Sequence, residues 1–134
     1  MKQKLTDINQ LADIQSTIIE VVPYDYSGKR NIEVNITQPE FTSLCPMTGL
    51  PDFASIDIHY VPDEFIVELK SLKYYLLQYR NVGVFYEHLI NVILDHLVKT
   101  VKPIQMTVTG TFTPRGGIET SVKASYPDNI SKQS

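Results

Sequence analysis

ELKSLKYYLLQYRNVGVFYE, residues 68–87, is where the apolar period of the chain changes from two to about 3.6, and that change decides the fold class. Leu69, Leu72, Leu76 and Tyr79 fall on one side of a helix expected from about Ser71 to Tyr79. Asn81 and Gly83 interrupt it. A second, longer helix is expected from about Phe85 to Thr100, with Phe85, Leu89, Val92, Ile93 and Val98 on a broad apolar face, Glu87, Asn91 and Asp95 on the polar one, and Pro103 beyond its end. Lys70 and Lys73 stand in the first turn of the first helix, where they oppose the positive end of the helix dipole. They are either solvated surface lysines or part of an anion site.

Upstream of this stretch the period is two. EFIVEL, after the Pro62 turn, is a short strand whose end delivers Glu68, and ASIDIHYV places Ala54, Ile56, Ile58 and Tyr60 on one face. TIIEVV from Thr17 and NIEVNIT, with Ile32, Val34 and Ile36 alternating, are expected as a half-buried strand pair. Between them and ASIDIHYV, the prolines and glycine of FTSLCPMTGLPD mark a loop that carries both Cys45 and Asp52. Downstream, IQMTVTGTF and GIETSVKA form a hairpin across the tight connection TPRGG. Residues 1 to about 14 are expected as an arm, packed on the domain or on a neighbour, and residues 126–134 as a flexible tail. Strands, two helices, then strands, without strand–helix alternation, give a single α+β domain over residues 1–134. It has an antiparallel sheet with two helices on one face and no Rossmann site.

The totals narrow the chemistry. With 134 residues, 43% hydrophobic and 20% charged, and a net charge of −3, the chain reads as a soluble domain without the basic excess of a nucleic-acid binder, so any anion site must be local. It is small for a cofactor site built alone, which points to a partner subunit. The N-terminus lacks the apolar run of a signal peptide and no segment approaches the roughly 18 apolar residues of a membrane span, so a cytoplasmic protein is expected. One cysteine excludes an internal disulfide and a Cys-x-x-Cys site, leaving Cys45 as either a packing residue or a reagent. Asp52, after Pro51, is either a turn residue or a proton donor for a nucleophile on the same loop. His59, His88 and His96 lack metal-ligand spacing, so no metal is expected.

Four ordered blocks carry a resemblance: FTSLCPMTGLPDF (41–53), ELKSLKYY (68–75), RNVGVFYEH (80–88) and PRGG (114–117). Together they resemble the NADPH-dependent 7-cyano-7-deazaguanine reductases of queuosine biosynthesis, the nitrile-reducing branch of the tunnelling-fold (T-fold) superfamily, in its short single-domain form. The resemblance implies Cys45 as nucleophile through a thioimide and Asp52 as proton donor. It implies substrate contacts from Val67, Glu68, Leu69, Tyr86 and Glu87, with the Glu87 carboxylate gripping the edge of the base. Lys70, Lys73 and Arg115 match contacts to the phosphates of NADPH, of which two are used per turnover. The family's sheets assemble side by side into an oligomeric barrel, commonly a pentamer stacked on another, with active sites between subunits. Leu69 is an allowed alternative to serine, whereas Tyr86 stands where the family usually has histidine. The other readings are a non-redox T-fold enzyme acting on a pterin or purine, and a catalytically silent base-binding oligomer.

Overall fold

A computed structural model describes residues 10–128. Its main sheet has four antiparallel strands in the order β2-β3-β5-β6, where β2 is Val34–Leu44, β3 Pro51–Val61, β5 Gln105–Arg115 and β6 Ile118–Tyr126. A two-stranded ribbon pairs β1, Val21–Pro23, with β4, Phe65–Val67. The helices are α1, Leu69–Leu77, which runs on into a 3₁₀ turn over Gln78–Asn81, and α2, Tyr86–Val101.

Period-two alternation builds the sheet's inner face. Ala54, Ile56, Ile58 and Tyr60 of β3 stand opposite Phe112, Gly110, Val108 and Met106 of β5, and all but the glycine belong to one core. Leu72, Tyr75 and Leu76 of α1 and Leu89, Ile90, Ile93 and Leu97 of α2 close over them. Each large aliphatic side chain so buried contributes about 1.5–3 kcal/mol. Both helices therefore cover one face, as expected for the α+β T-fold. Gly110 allows the close approach of α2: a Cβ there would stand 2.6 Å from Ile90 Cδ1 and 2.9 Å from the Phe112 ring. Glu68 caps α1, its carboxylate accepting the Lys70 and Ser71 N–H groups at 2.6 and 2.9 Å. The anion at this helix start is thus the chain's own.

A polar chain ties the two helices together inside the core. The Tyr75 hydroxyl lies 2.6 Å from that of Tyr79 and 2.7 Å from His96 Nδ1, and both tyrosines are fully buried. Buried hydroxyls need such partners, because an unpaired one costs about 1–3 kcal/mol.

Several expectations are corrected. Phe41–Leu44 continues β2, and Pro51 and Asp52 begin β3, with Ser43 paired to Asp52 and Leu44 to Pro51, so the loop is only residues 45–50 and Asp52 lies on a strand. Pro51 is tolerated because it is the first residue of its strand. The run from Thr17 is not a strand throughout: Ser16–Ile18 is a 3₁₀ turn, and β1 pairs with β4 rather than with β2. Helix α1 begins two residues earlier than expected, which leaves Leu69 at its exposed first position and puts Tyr75 in the core stripe. Phe85 caps α2 from an exposed position. Of the expected arm, residues 1–9 lie outside the described residues, while Ile14 is buried in the core. Of the expected tail, Tyr126 closes β6 opposite Met106, and residues 129–134 lie outside the described residues.

Candidate active site

Cys45 opens a loop tied down at both ends. Its N–H donates to the Leu50 carbonyl at 2.8 Å, and Gly49 N–H donates back to the Cys45 carbonyl at 2.8 Å. Gly49 has φ 74°, a left-handed conformation that glycine adopts without a Cβ clash. The strand before the loop is fixed by Leu44, which donates to the Val82 carbonyl and accepts from Val84 N–H. The thiol is half-buried. Burial alone works against its thiolate, but hydrogen bonds from the Thr48 hydroxyl and from the Met47 and Thr48 N–H groups prevail, so the net pKa lies below the ordinary thiol value, against some opposition from Asp52. A thiolate favoured by its own loop is the reactive form of cysteine.

Asp52 is buried at 4% exposure, across the strand pair from Ser43, which is fully buried. Its Oδ1 lies 2.5 Å from Arg115 Nε, while Arg115 Nη2 donates to the Pro51 carbonyl. The Asp52 contact is ionic rather than an aligned hydrogen bond: among the described residues, neither Oδ1 nor Ser43 Oγ has a hydrogen-bond partner. Among the described residues the Ser43 hydroxyl thus stands buried without a hydrogen bond, beside a carboxylate held by Arg115. Tyr86, at the start of α2, stacks on Phe112 of β5. Burial, and after it a hydrogen bond and the charge of Asp52, push its phenol up to about 12, partly offset by Arg115. Glu87 follows on the exposed first turn of α2.

The structure therefore gathers Cys45, Asp52, Tyr86 and Arg115, with Glu87 beside them in sequence. It holds Val67, Glu68 and Leu69 elsewhere. Val67 N–H donates to the Tyr60 hydroxyl at 3.1 Å, and Tyr60 is eight residues along β3 from Asp52, about 26 Å at roughly 3.3 Å per residue. Glu68 is engaged as the α1 cap, and its N–H donates to Glu20. Lys70 and Lys73 are exposed on α1, and no carboxylate pairs with either among the described residues. Lys73 and Arg80 rim a hollow of about 120 Å³ beside Phe41 and Thr42. Sequence reasoning missed Ser43, Thr48 and Phe112. The extension of β2 through Leu44 was the signal for Ser43, hidden by the neighbouring prolines.

Residues 51–131 match the family model described as QueF-like protein. A relative from Caldicellulosiruptor bescii is 50% identical over 125 residues, covering 93% of this chain and 95% of its own. One from Elusimicrobium minutum is 52% identical over 107 residues, covering 80% and 81%. One from Chloroherpeton thalassium is 56% identical over 97 residues, covering 72% and 84%. All three bear the name NADPH-dependent 7-cyano-7-deazaguanine reductase. Among solved structures, the apo crystal structure of the archaeosine synthase QueF-Like shares the fold, with a TM-score of 0.62 at 21% identity over 71% of this chain and 91% of that one. With a family model spanning more than half its length and relatives half identical along most of it, this chain belongs to the QueF-like family.

Proposed function

We propose that the chain is an NADPH-dependent oxidoreductase that reduces the nitrile of 7-cyano-7-deazaguanine to the aminomethyl group of 7-aminomethyl-7-deazaguanine. The observation that carries the chemistry is a thiol held towards its thiolate by its own loop, next to a buried carboxylate that Arg115 holds in place. Nitrile to primary amine takes four electrons, and NADPH supplies them as two hydrides. Cys45 Sγ adds to the nitrile carbon, the nitrogen takes its proton from Asp52, and the resulting thioimide stays bound while cofactor is exchanged. Covalent retention keeps a hydrolysable imine from escaping between the two reductions. Glu87 accepts paired N–H groups from the guanine-like edge.

The cationic groups fit a phosphorylated co-substrate. In a chain of net charge −3, no carboxylate pairs with Lys70 or Lys73 among the described residues, and the Arg115 side chain is 42% exposed. These three groups are assigned to the NADPH phosphates. A second copy completes the site. Val67–Leu69 and the Cys45 cluster are too far apart along β3 for one deazaguanine to touch both within a chain, and among the described residues β2, short of its bridge at Leu44, and β6 stand at the two edges of the sheet, open to a neighbour. The reading is therefore a homo-oligomer of edge-paired sheets with substrate sites between subunits.

The test is stoichiometric. Purified protein given limiting nitrile and excess NADPH oxidises two NADPH per nitrile consumed, followed by loss of the reduced-nicotinamide absorbance. No oxidation above the nitrile-free control would contradict the assignment.

A further inference from the structure

We propose that Arg115 is a positioning residue for Asp52 in the covalent step, acting before any cofactor enters. This rests on the nitrile-reductase reading and gives Arg115 a second task beside its phosphate contact. The guanidinium uses two edges of its fork on consecutive residues, Nε on Asp52 Oδ1 at 2.5 Å and Nη2 on the Pro51 carbonyl. Consecutive contacts fix both where the start of β3 lies and where its carboxylate points. Few other groups do so. Among the described residues the Ser43 hydroxyl across the strand pair makes no hydrogen bond, and the Tyr86 hydroxyl reaches Asp52 from α2.

Arg115 reaches this position by a long-range route. The β5–β6 ladder shifts register between Phe112 and Arg115, and Gly116 and Gly117 turn the chain with φ of 57° and 83°. The β3–β5 register, continued beyond Ala54 opposite Phe112, sets residue 115 beside Pro51 at the start of β3. With Arg115 holding the Asp52 carboxyl group in place, the addition balances without an outside acid. The Sγ–C bond forms and one π bond of the nitrile opens. The thiol proton passes to Asp52 and from there to the nitrile nitrogen.

A phosphate contact and a positioning fork respond differently to lysine, which keeps the charge but cannot span two acceptors in a plane. The experiment mixes wild type, Arg115→Lys and Arg115→Gln with 7-cyano-7-deazaguanine and no NADPH, timing the adduct by near-ultraviolet absorbance and intact mass. The KM for NADPH is measured separately in turnover. Arg115→Lys is expected to slow adduct formation about ten- to a hundred-fold at saturating nitrile. Its KM for NADPH should change by less than about threefold, since the charge is retained. In an Asp52→Asn background, Arg115→Gln should have no further effect on the adduct rate, because the two act as a unit. Arg115 sits on an exposed hairpin end, so melting curves check that the variants remain folded. Wild-type adduct rates in both variants, with only the NADPH KM raised, would overturn the assignment. A wild type that forms no adduct overturns the covalent reading and this role with it, and is told apart by the missing wild-type signal.

Discussion

The ring of Tyr86 lies flat on that of Phe112, with centroids 3.6 Å apart and planes 15° from parallel. The stack fixes the start of α2 against β5 and turns the phenol towards Asp52, whose hydrogen bond and charge help to raise it. Tyr86→Phe keeps the stack and removes the hydroxyl. Losing a hydrogen bond to a charged group costs about 1.5–3 kcal/mol, so adduct formation should slow about tenfold or more while the protein, with its stack intact, stays folded. Phe112→Ala should instead destabilise the fold by about 3–5 kcal/mol, read by denaturant unfolding.

Glu87→Gln replaces a charged double acceptor by one acceptor and one donor facing the wrong way. Nitrile affinity should fall roughly ten- to a hundred-fold, measured by calorimetry, with folding unaffected because Glu87 is exposed. An unchanged affinity would mean that the base is held elsewhere.

Much of the fold was legible because periodicity reports burial directly. The inward row Ala54, Ile56, Ile58, Tyr60 and the polar row Glu87, Asn91, Asp95 both stand as the alternation predicts. The errors came where local cues and tertiary pairing disagree. Prolines and a glycine made residues 41–52 look like a loop, yet strand pairing carries β2 and β3 almost to Cys45. Leu69 matched the helical period but falls at the helix start, where Glu68 caps and the leucine is 60% exposed. The pairing of Arg115 with Asp52 depends on the register of β5, which no local pattern encodes. The downward shift of the Cys45 thiol likewise depends on where the Met47 and Thr48 N–H groups point.

NADPH should be preferred over NADH, since among the described residues no carboxylate pairs with Lys70 or Lys73 and the 2′-phosphate adds charge for them to meet. Lys70→Ala and Lys73→Ala should each raise the KM for NADPH about tenfold, in keeping with the loss of one charge-assisted contact, and leave the nitrile KM within about twofold. Equal effects on both constants would remove the lysines from the cofactor site.

Stability should depend on pH through His96. Burial lowers its pKa from 6.5, with Asp95 opposing and Lys99 assisting. Just below pH 6.5 the unfolded chain therefore takes up a proton that the folded chain resists, so stability is full above that value and falls as pH drops through the window. Melting temperatures taken from pH 8 to pH 5 should show this decline, and His96→Gln should flatten it. Tyr75→Phe, which strips both neighbours of their shared hydroxyl, should cost about 1–3 kcal/mol at pH 8.

Covalent capture by Cys45 is the central claim, and intact mass tests it most directly. Wild-type protein mixed with 7-cyano-7-deazaguanine in the absence of NADPH should gain the mass of one substrate per chain, together with a new near-ultraviolet absorbance. Cys45→Ala should show neither and no turnover. Asp52→Asn should form the adduct roughly 10²- to 10⁴-fold more slowly. A wild type that binds the nitrile without gaining mass, or a Cys45→Ala protein that still oxidises NADPH with the nitrile, would contradict the account and leave Cys45 as a packing residue.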